Sequence, residues 1–285
     1  INKSKANNLV KKGAVFCNNL KEIVLNSTII ITCLPSPKSV SNVLEGVNGV
    51  INYINSEHLW IELSTTDQNE MIRLSNLFFK KNAKTLEAPV TGGQHRAETG
   101  NISVLAAGER ASFERALPLL SEIGYRILYC GKMGNASTLK VITNYLASIN
   151  LFALGESFMV AKKYGIDLGV AFQGIKISSG NSFVHETESQ VILSGSYDVG
   201  FTMDLACKDL GLFNNLSKKY NIPSELSDLL LKLFEDGKKD LGDRSFSTSI
   251  VKIIENKCVE YLRSPNFPKE LIDNEKRKKG FEIKF

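Results

Sequence analysis

Up to about residue 131, short runs rich in β-branched residues alternate with segments of helical periodicity. No other feature constrains the fold of this chain as strongly. The strand-like runs are 14–16, 28–33, 60–63, 85–87, 102–107 and 126–129; between them lie helix-like stretches at 4–12, 20–25, 39–44, 67–80 and 110–123. Strands that alternate with helices build a mostly parallel, doubly wound α/β sheet, Rossmann-like in plan, which binds its ligands beyond the carboxyl ends of the strands. Ile29, Ile30 and Ile31 are apolar on both faces, as a central parallel strand requires.

After Gly134 the texture changes. Residues 135–163 carry no proline and repeat apolar residues at three and four, so one long helix is expected. Further helices are expected at 169–177, 203–219, 224–236 and 247–262, with Asn181 and Ser182 marking a boundary and Pro223 at a helix start. No strand run interrupts this half. The division expected is an α/β domain over 1–131, incomplete at its start, an all-helical domain over 132–263, and a charged tail over 264–285 that is mobile or lies on a partner subunit.

Composition narrows the function classes. At 285 residues, with 43% apolar and 23% charged residues, the chain has the profile of a soluble globular protein. Its apolar runs are too short to cross a bilayer, and no signal peptide opens it, so a cytoplasmic home and no membrane partner are expected. The five cysteines are scattered without a C-x-x-C pair and only three histidines are present, which argues against a disulfide framework, a zinc site or any dedicated metal centre. The net charge of +5 gathers in runs such as Lys276-Arg277-Lys278-Lys279, which read as solvated surface; no nucleic-acid motif accompanies them.

Two segments carry chemistry. In Gly131-Lys132-Met133-Gly134 the glycines turn the chain into the long helix, where Lys140 and Asn144 follow four apart and share a face. An ammonium and an amide so placed grip one oxygen-bearing carbon: the lysine moves a proton and the amide fixes the geometry. A helical lysine is ordinarily solvated, but Leu139, Val141 and Ile142 surround this one with apolar neighbours. The second segment is Glu87-Ala88-Pro89-Val90-Thr91-Gly92-Gly93, directly after a short strand. Thr91, Gly92 and Gly93 offer a hydroxyl and bare peptide N–H groups to an anion, although a Thr-Gly-Gly can also be an ordinary tight turn.

Together these segments resemble the β-hydroxyacid dehydrogenase family, whose 3-hydroxyisobutyrate and tartronate semialdehyde dehydrogenases carry D-A-P-V-S-G-G-x-x-x-A-x-x-G and G-x-x-G-x-G-x-x-x-K-x-x-x-N. Here Glu87 and Thr91 replace the family's Asp and Ser, and Ala136 replaces the third glycine of the catalytic motif. Three weaker matches follow in the family's order: Cys33-Leu34-Pro35, Ser64-Thr65-Thr66, and Lys208-Asp209-Leu210-Gly211-Leu212. The resemblance runs to about residue 256.

What the resemblance implies is a nicotinamide-dependent oxidoreductase acting on the CH–OH group of a small β-hydroxy acid or its semialdehyde, of the 3-hydroxyisobutyrate, tartronate semialdehyde or succinic semialdehyde type. Lys140 and Asn144 are then catalytic, and Thr91, Gly92 and Gly93 hold the substrate. Leu34, Pro35, Thr65 and Lys208 line the cofactor, and a 6-phosphogluconate dehydrogenase-like helical domain builds a homodimer or homotetramer. The alternative is a noncatalytic dimeric binding or scaffold protein derived from the family, against which the retained Lys140–Asn144 pair speaks. Arg96 is placed to read a second acidic group or to face outward.

The family's glycine-rich opening strand and turn have no counterpart. Gly46 and Gly49 follow a helix and cannot replace them, so a leading piece is expected upstream of Ile1. The slot in which NADP-using relatives place an arginine falls at Ile1, with Lys3 and Lys5 nearby, a slight preference for NAD over NADP.

Overall fold

The computed structural model describes residues 3–284; Ile1, and with it the slot for a 2′-phosphate, lies outside the described residues, as does the side chain of Lys3. After the short helices α1 (Asn7–Lys11) and α2 (Leu20–Leu25), strands and helices alternate as β1 (Ile29–Thr32), α3 (Pro37–Glu45), β2 (Leu59–Glu62), α4 (Gln68–Phe79) and β3 (Lys84–Glu87). A short β4 (Val90–Thr91) and α5 (Gln94–Thr99) follow, then β5 (Ile102–Gly108), α6 (Arg110–Ile123) and β6 (Gly124–Tyr129). Ser36 and Asp67 cap α3 and α4 with their side chains, which supplies acceptors to first-turn N–H groups.

The sheet runs β1-β2-β3-β5-β6-β7, where β7 is Phe281–Ile283 near the end of the chain, with β4 paired to β5. It is mostly parallel; β5 runs antiparallel to both β3 and β4. Alternation along each strand splits the core in two. Trp60 and Ile30 point toward Val40, Leu44, Leu74 and Phe78 on one face, with Trp60 stacked on Phe78 at 4.8 Å. Leu59, Ile61 and Leu86 point the other way, onto Val104, Phe113, Ala116 and Leu120. Burial of both faces is what a parallel α/β sheet requires.

Two expectations for this half need correction. Residues 14–16 are not a strand: they run as irregular backbone between α1 and α2, and Val15 is 84% exposed. The isoleucine run is a strand, but among the described residues β1 is the outermost strand of the sheet rather than a central one, and Ile31 remains 39% exposed.

The second half is helical: α7 (Asn135–Tyr164), α8 (Leu168–Lys176), α9 (Phe183–Ser194), α10 (Met203–Lys219), α11 (Glu225–Leu241) and α12 (Val251–Cys258). Its core gathers Leu151, Phe158, Phe172, Ile192, Tyr197, Met203, Leu210 and Phe234. Helix α9 was not foreseen because its buried face is partly polar. His185 is fully buried there, its Nε2 bonded to the Phe172 carbonyl at 2.9 Å and its ring against Phe172. The expected helix over 247–262 is shorter: a 3-10 turn precedes α12, which stops at Val259, a residue with φ of 53°.

The tail is also different from expectation. It returns from the helical domain to this chain's own sheet and adds β7 (Phe281–Ile283) parallel to β6. Paired with an edge strand it satisfies backbone groups that would otherwise face water or a partner. Among the described residues no helix is long and apolar enough to cross a membrane.

Candidate active site

The site begins with a buried acid. Glu87 ends β3, is fully buried, and accepts hydrogen bonds from the peptide N–H groups of Gly134 (2.5 Å), Ala136 (3.1 Å) and Ser137 (3.0 Å). The Ser137 hydroxyl donates to it as well. These N–H groups are the unsatisfied first donors of α7, where the helix dipole favours negative charge. Burial still pushes the Glu87 carboxyl above its ordinary range, against the opposing pull of its four donors. Gly134 turns the chain at φ of 96°, and an added Cβ would press on Ile72. Ala136 is already inside the first turn without positive φ, so the glycine that the family places there is dispensable.

One turn further along α7, the Lys140 Nζ donates to Asn144 Oδ1 at 2.8 Å, as the four-residue spacing predicts. Asn144 Nδ2 donates to Asp209 Oδ2 at 2.5 Å, and the other Asp209 oxygen lies 2.8 Å from Lys208 Nζ. Lys208 in turn donates to the Thr65 carbonyl at 2.9 Å. Lys140 is 7% exposed and has no second hydrogen-bond acceptor among the described residues. Burial pushes its pKa down to about 8; the Asp209 charge opposes that shift and the Lys208 charge adds to it. A buried amine with free donors and a pKa near neutrality is equipped to exchange a proton with a ligand.

The second acid is Glu62, fully buried at the end of β2. It accepts from the Thr32 hydroxyl (2.6 Å) and the Ser64 N–H (2.6 Å), while the Ser64 hydroxyl takes the Leu34 N–H at 2.7 Å. Glu62 thereby fixes the loop of Leu34 and Pro35 against the loop of Thr65. Burial raises its pKa, and its hydrogen bonds and Lys208 work the other way. The residues singled out as Leu34, Pro35, Thr65 and Lys208 thus meet at the carboxyl ends of β1 and β2. A nicotinamide cofactor suits this corner: beside Thr65, Thr66 keeps a buried hydroxyl with no partner among the described residues.

Thr91, Gly92 and Gly93 follow Glu87 by four to six residues. Thr91 ends β4, opposite Ser103 of β5. Gly92 and Gly93 have φ of 123° and 91°, and a Cβ on Gly93 would strike the His95 ring at 2.8 Å. Only glycine gives this bare turn. Glu87 thus links the two segments: it ends the strand that leads to Thr91, Gly92 and Gly93, and it bonds the start of the helix that carries Lys140 and Asn144. Arg96 is engaged rather than free: its guanidinium lies 4.8 Å over the Phe183 ring and 4.0 Å from Glu275.

Sequence reasoning missed Glu87, Glu62 and Asp209 as site-forming groups. Their signal was present: two carboxylates stand at the carboxyl ends of strands, and a third sits beside Lys208 in the Lys-Asp-Leu run.

Residues 1–131 match the family model described as the NAD binding domain of 6-phosphogluconate dehydrogenase, and residues 134–254 match that described as NAD-binding of NADP-dependent 3-hydroxyisobutyrate dehydrogenase. The chain belongs to the β-hydroxyacid dehydrogenase family. It is 29% identical to 2-(hydroxymethyl)glutarate dehydrogenase of Eubacterium barkeri over 87% of this chain and 82% of the relative. It is 25% identical to glyoxylate/succinic semialdehyde reductase 1 of Arabidopsis thaliana, over 87% and 86%. Among solved structures, a 3-hydroxyisobutyrate dehydrogenase from Salmonella typhimurium superposes with a TM-score of 0.79 at 25% identity, covering 88% of each chain. The fold of the Mycobacterium tuberculosis 3-hydroxyisobutyrate dehydrogenase is shared at a TM-score of 0.79 and 23% identity, again over 88% of each. The family and the fold expected from the motifs are those found.

Replacing Glu87 with Ala strands three peptide donors and a hydroxyl in a dry site. A loss of about 3 kcal/mol or more is expected in urea unfolding; a midpoint equal to that of the parent protein would contradict the role given to this carboxylate.

Proposed function

We propose that this chain is an oxidoreductase that interconverts a small β-hydroxy acid and its semialdehyde with a nicotinamide cofactor. When bound, the cofactor supplies or accepts the hydride. Leu34, Pro35, Thr65 and Lys208 hold it. Thr91, Gly92 and Gly93 hold the substrate carboxylate through the hydroxyl and the peptide N–H groups. Lys140 hydrogen-bonds the reacting oxygen and takes its proton in oxidation or returns one in reduction. Asn144, fixed by Asp209, orients the Lys140 ammonium.

The observation that carries this reading is the buried Lys140 amine, its pKa down at about 8, with one acceptor among the described residues and spare donors. A structural scaffold gains nothing from burying such a group, since an ammonium out of water is costly unless paired. The proposal takes NAD as the slightly preferred cofactor, because Ile1 brings no cation to a 2′-phosphate. A cytoplasmic location belongs to the proposal too, in keeping with five cysteines that are all free.

Assembly through the helical domain is proposed as well. Leu146, Val160 and Tyr164 expose 50%, 70% and 84% of their area along α7, and such apolar surface marks an interaction face. Light scattering on the eluted protein should give a dimer or tetramer mass; a monomer at working concentration would refute this part.

Lys140→Ala should lower kcat by ~10²–10⁴-fold, the usual contribution of general acid–base help, while NADH fluorescence titration and circular dichroism stay those of the parent. Turnover near the parent level would remove Lys140 from the mechanism. The sign of the pH dependence follows from the charge: oxidation needs the neutral amine and should rise through about pH 8, whereas reduction needs the ammonium and should fall above it. Because the Asp209 charge raises the Lys140 pKa, Asp209→Asn should move both limbs to lower pH; limbs that stay put would show that the two groups do not communicate.

A further inference from the structure

Helix α5 has six residues and no buried side chain, yet it follows directly on Gly92 and Gly93. A helix so short is not stable by itself, and two glycines leave its approach mobile unless something outside holds it. The restraint comes from the tail, which lies beyond the family models, both of which end by residue 254. Asp273 accepts from the Thr99 hydroxyl at 2.5 Å and from Asn101 Nδ2 at 2.7 Å, and its second oxygen takes the Glu275 N–H at 3.0 Å. Asn101, fully buried, donates also to the Glu275 carbonyl at 2.7 Å.

The neighbouring tail residues grip the same region. Arg277 packs on Gly100, where an added Cβ would meet its Nε at 3.1 Å, and its guanidinium binds Glu122 at 3.1 Å. Farther on, Glu282 of β7 pairs with Arg110 through two bonds of 2.5 and 2.9 Å, and β7 itself joins β6. The segment is therefore clamped to the sheet on one side and to the end of α5 on the other. Arg96 and Thr99 occupy variable positions of the substrate motif, and in this chain both face tail acids.

We propose that Asp273 is a positioning residue for the substrate cradle: through Thr99 and Asn101 it fixes α5, and with it the peptide N–H groups of Gly92 and Gly93. This rests on the reading of Thr91–Gly93 as the carboxylate site. Asp273 does not touch the substrate. Its effect reaches the site through α5, whose first turn closes with the Ala97 N–H on the Gly93 carbonyl at 3.2 Å. A cradle that samples more conformers binds its carboxylate less well, while the proton transfer at Lys140 is unaffected once substrate is bound.

The test compares the full-length parent, Asp273→Ala and Thr99→Val by amide hydrogen exchange and steady-state kinetics. In Asp273→Ala, exchange over residues 91–101 should speed up by about tenfold, the scale of a lost charge-assisted hydrogen bond, with α7 unchanged. The KM for the hydroxy acid should rise by a similar factor, with kcat and NADH affinity as in the parent. Thr99→Val, which leaves the tail intact, should shift both readouts in the same direction by less, and it decides the matter should Asp273→Ala not fold. Parent-like exchange and KM in both variants overturn the proposal, as does faster exchange spread evenly over the whole sheet. Failure of the parent protein to turn over any β-hydroxy acid would instead overturn the cradle reading, and the exchange comparison would still decide whether Asp273 holds α5.

Discussion

The structure depends on one carboxylate placed where carboxylates are costly. Glu87 leaves water completely, and its compensation is a set of donors at the start of α7. Those donors have no other acceptor among the described residues, so strand end and helix start need each other. The consequence is mechanical as well as energetic. The helix carrying Lys140 and the strand leading to Thr91 cannot slide past one another without exposing either an ion or a helix terminus to a dry interior.

A second polar route crosses between the halves higher up. It runs from Lys140 through Asn144, Asp209 and Lys208 to the backbone of Thr65. Two positive groups flank one negative group in a nearly water-free space. Such an arrangement holds the Lys140 ammonium less firmly charged than a surface lysine while still keeping it oriented. Glu62 does comparable work for the loops after β1 and β2, gathering a serine, a threonine and a backbone N–H around itself. Three buried acids thus set the positions of groups that the motifs identify, each from one residue's remove.

Much of this was legible in the sequence. Alternating strand and helix patterns located five of the seven strands among the described residues, because burial on both faces leaves continuous apolar runs such as Leu59 to Ile61. The four-residue spacing of Lys140 and Asn144 foretold their hydrogen bond, since helix geometry alone brings such pairs together. The failures have physical causes too. Residues 14–16 have strand composition, but a strand also needs backbone pairing with a second segment, which local composition does not report. Helix α9 was hidden because His185 and Ser189 satisfy each other and the Phe172 carbonyl inside the core, which breaks the apolar period. The tail looked solvated because its charges are abundant; that Asp273, Glu275 and Glu282 each have a partner far back in the chain is a matter of tertiary placement.

The parallel pairing of β7 with β6 has a bearing on how the molecule is assembled. Phe281 to Ile283 complete a sheet whose other strands all precede the helical domain. On a ribosome the first domain therefore emerges with its β6 edge open, and that edge closes only after every helix has been made. Pairings of such long sequence separation are entropically slow to find. Until then the nascent sheet presents an unprotected ladder, a surface on which a chaperone or a neighbouring nascent chain has time to act.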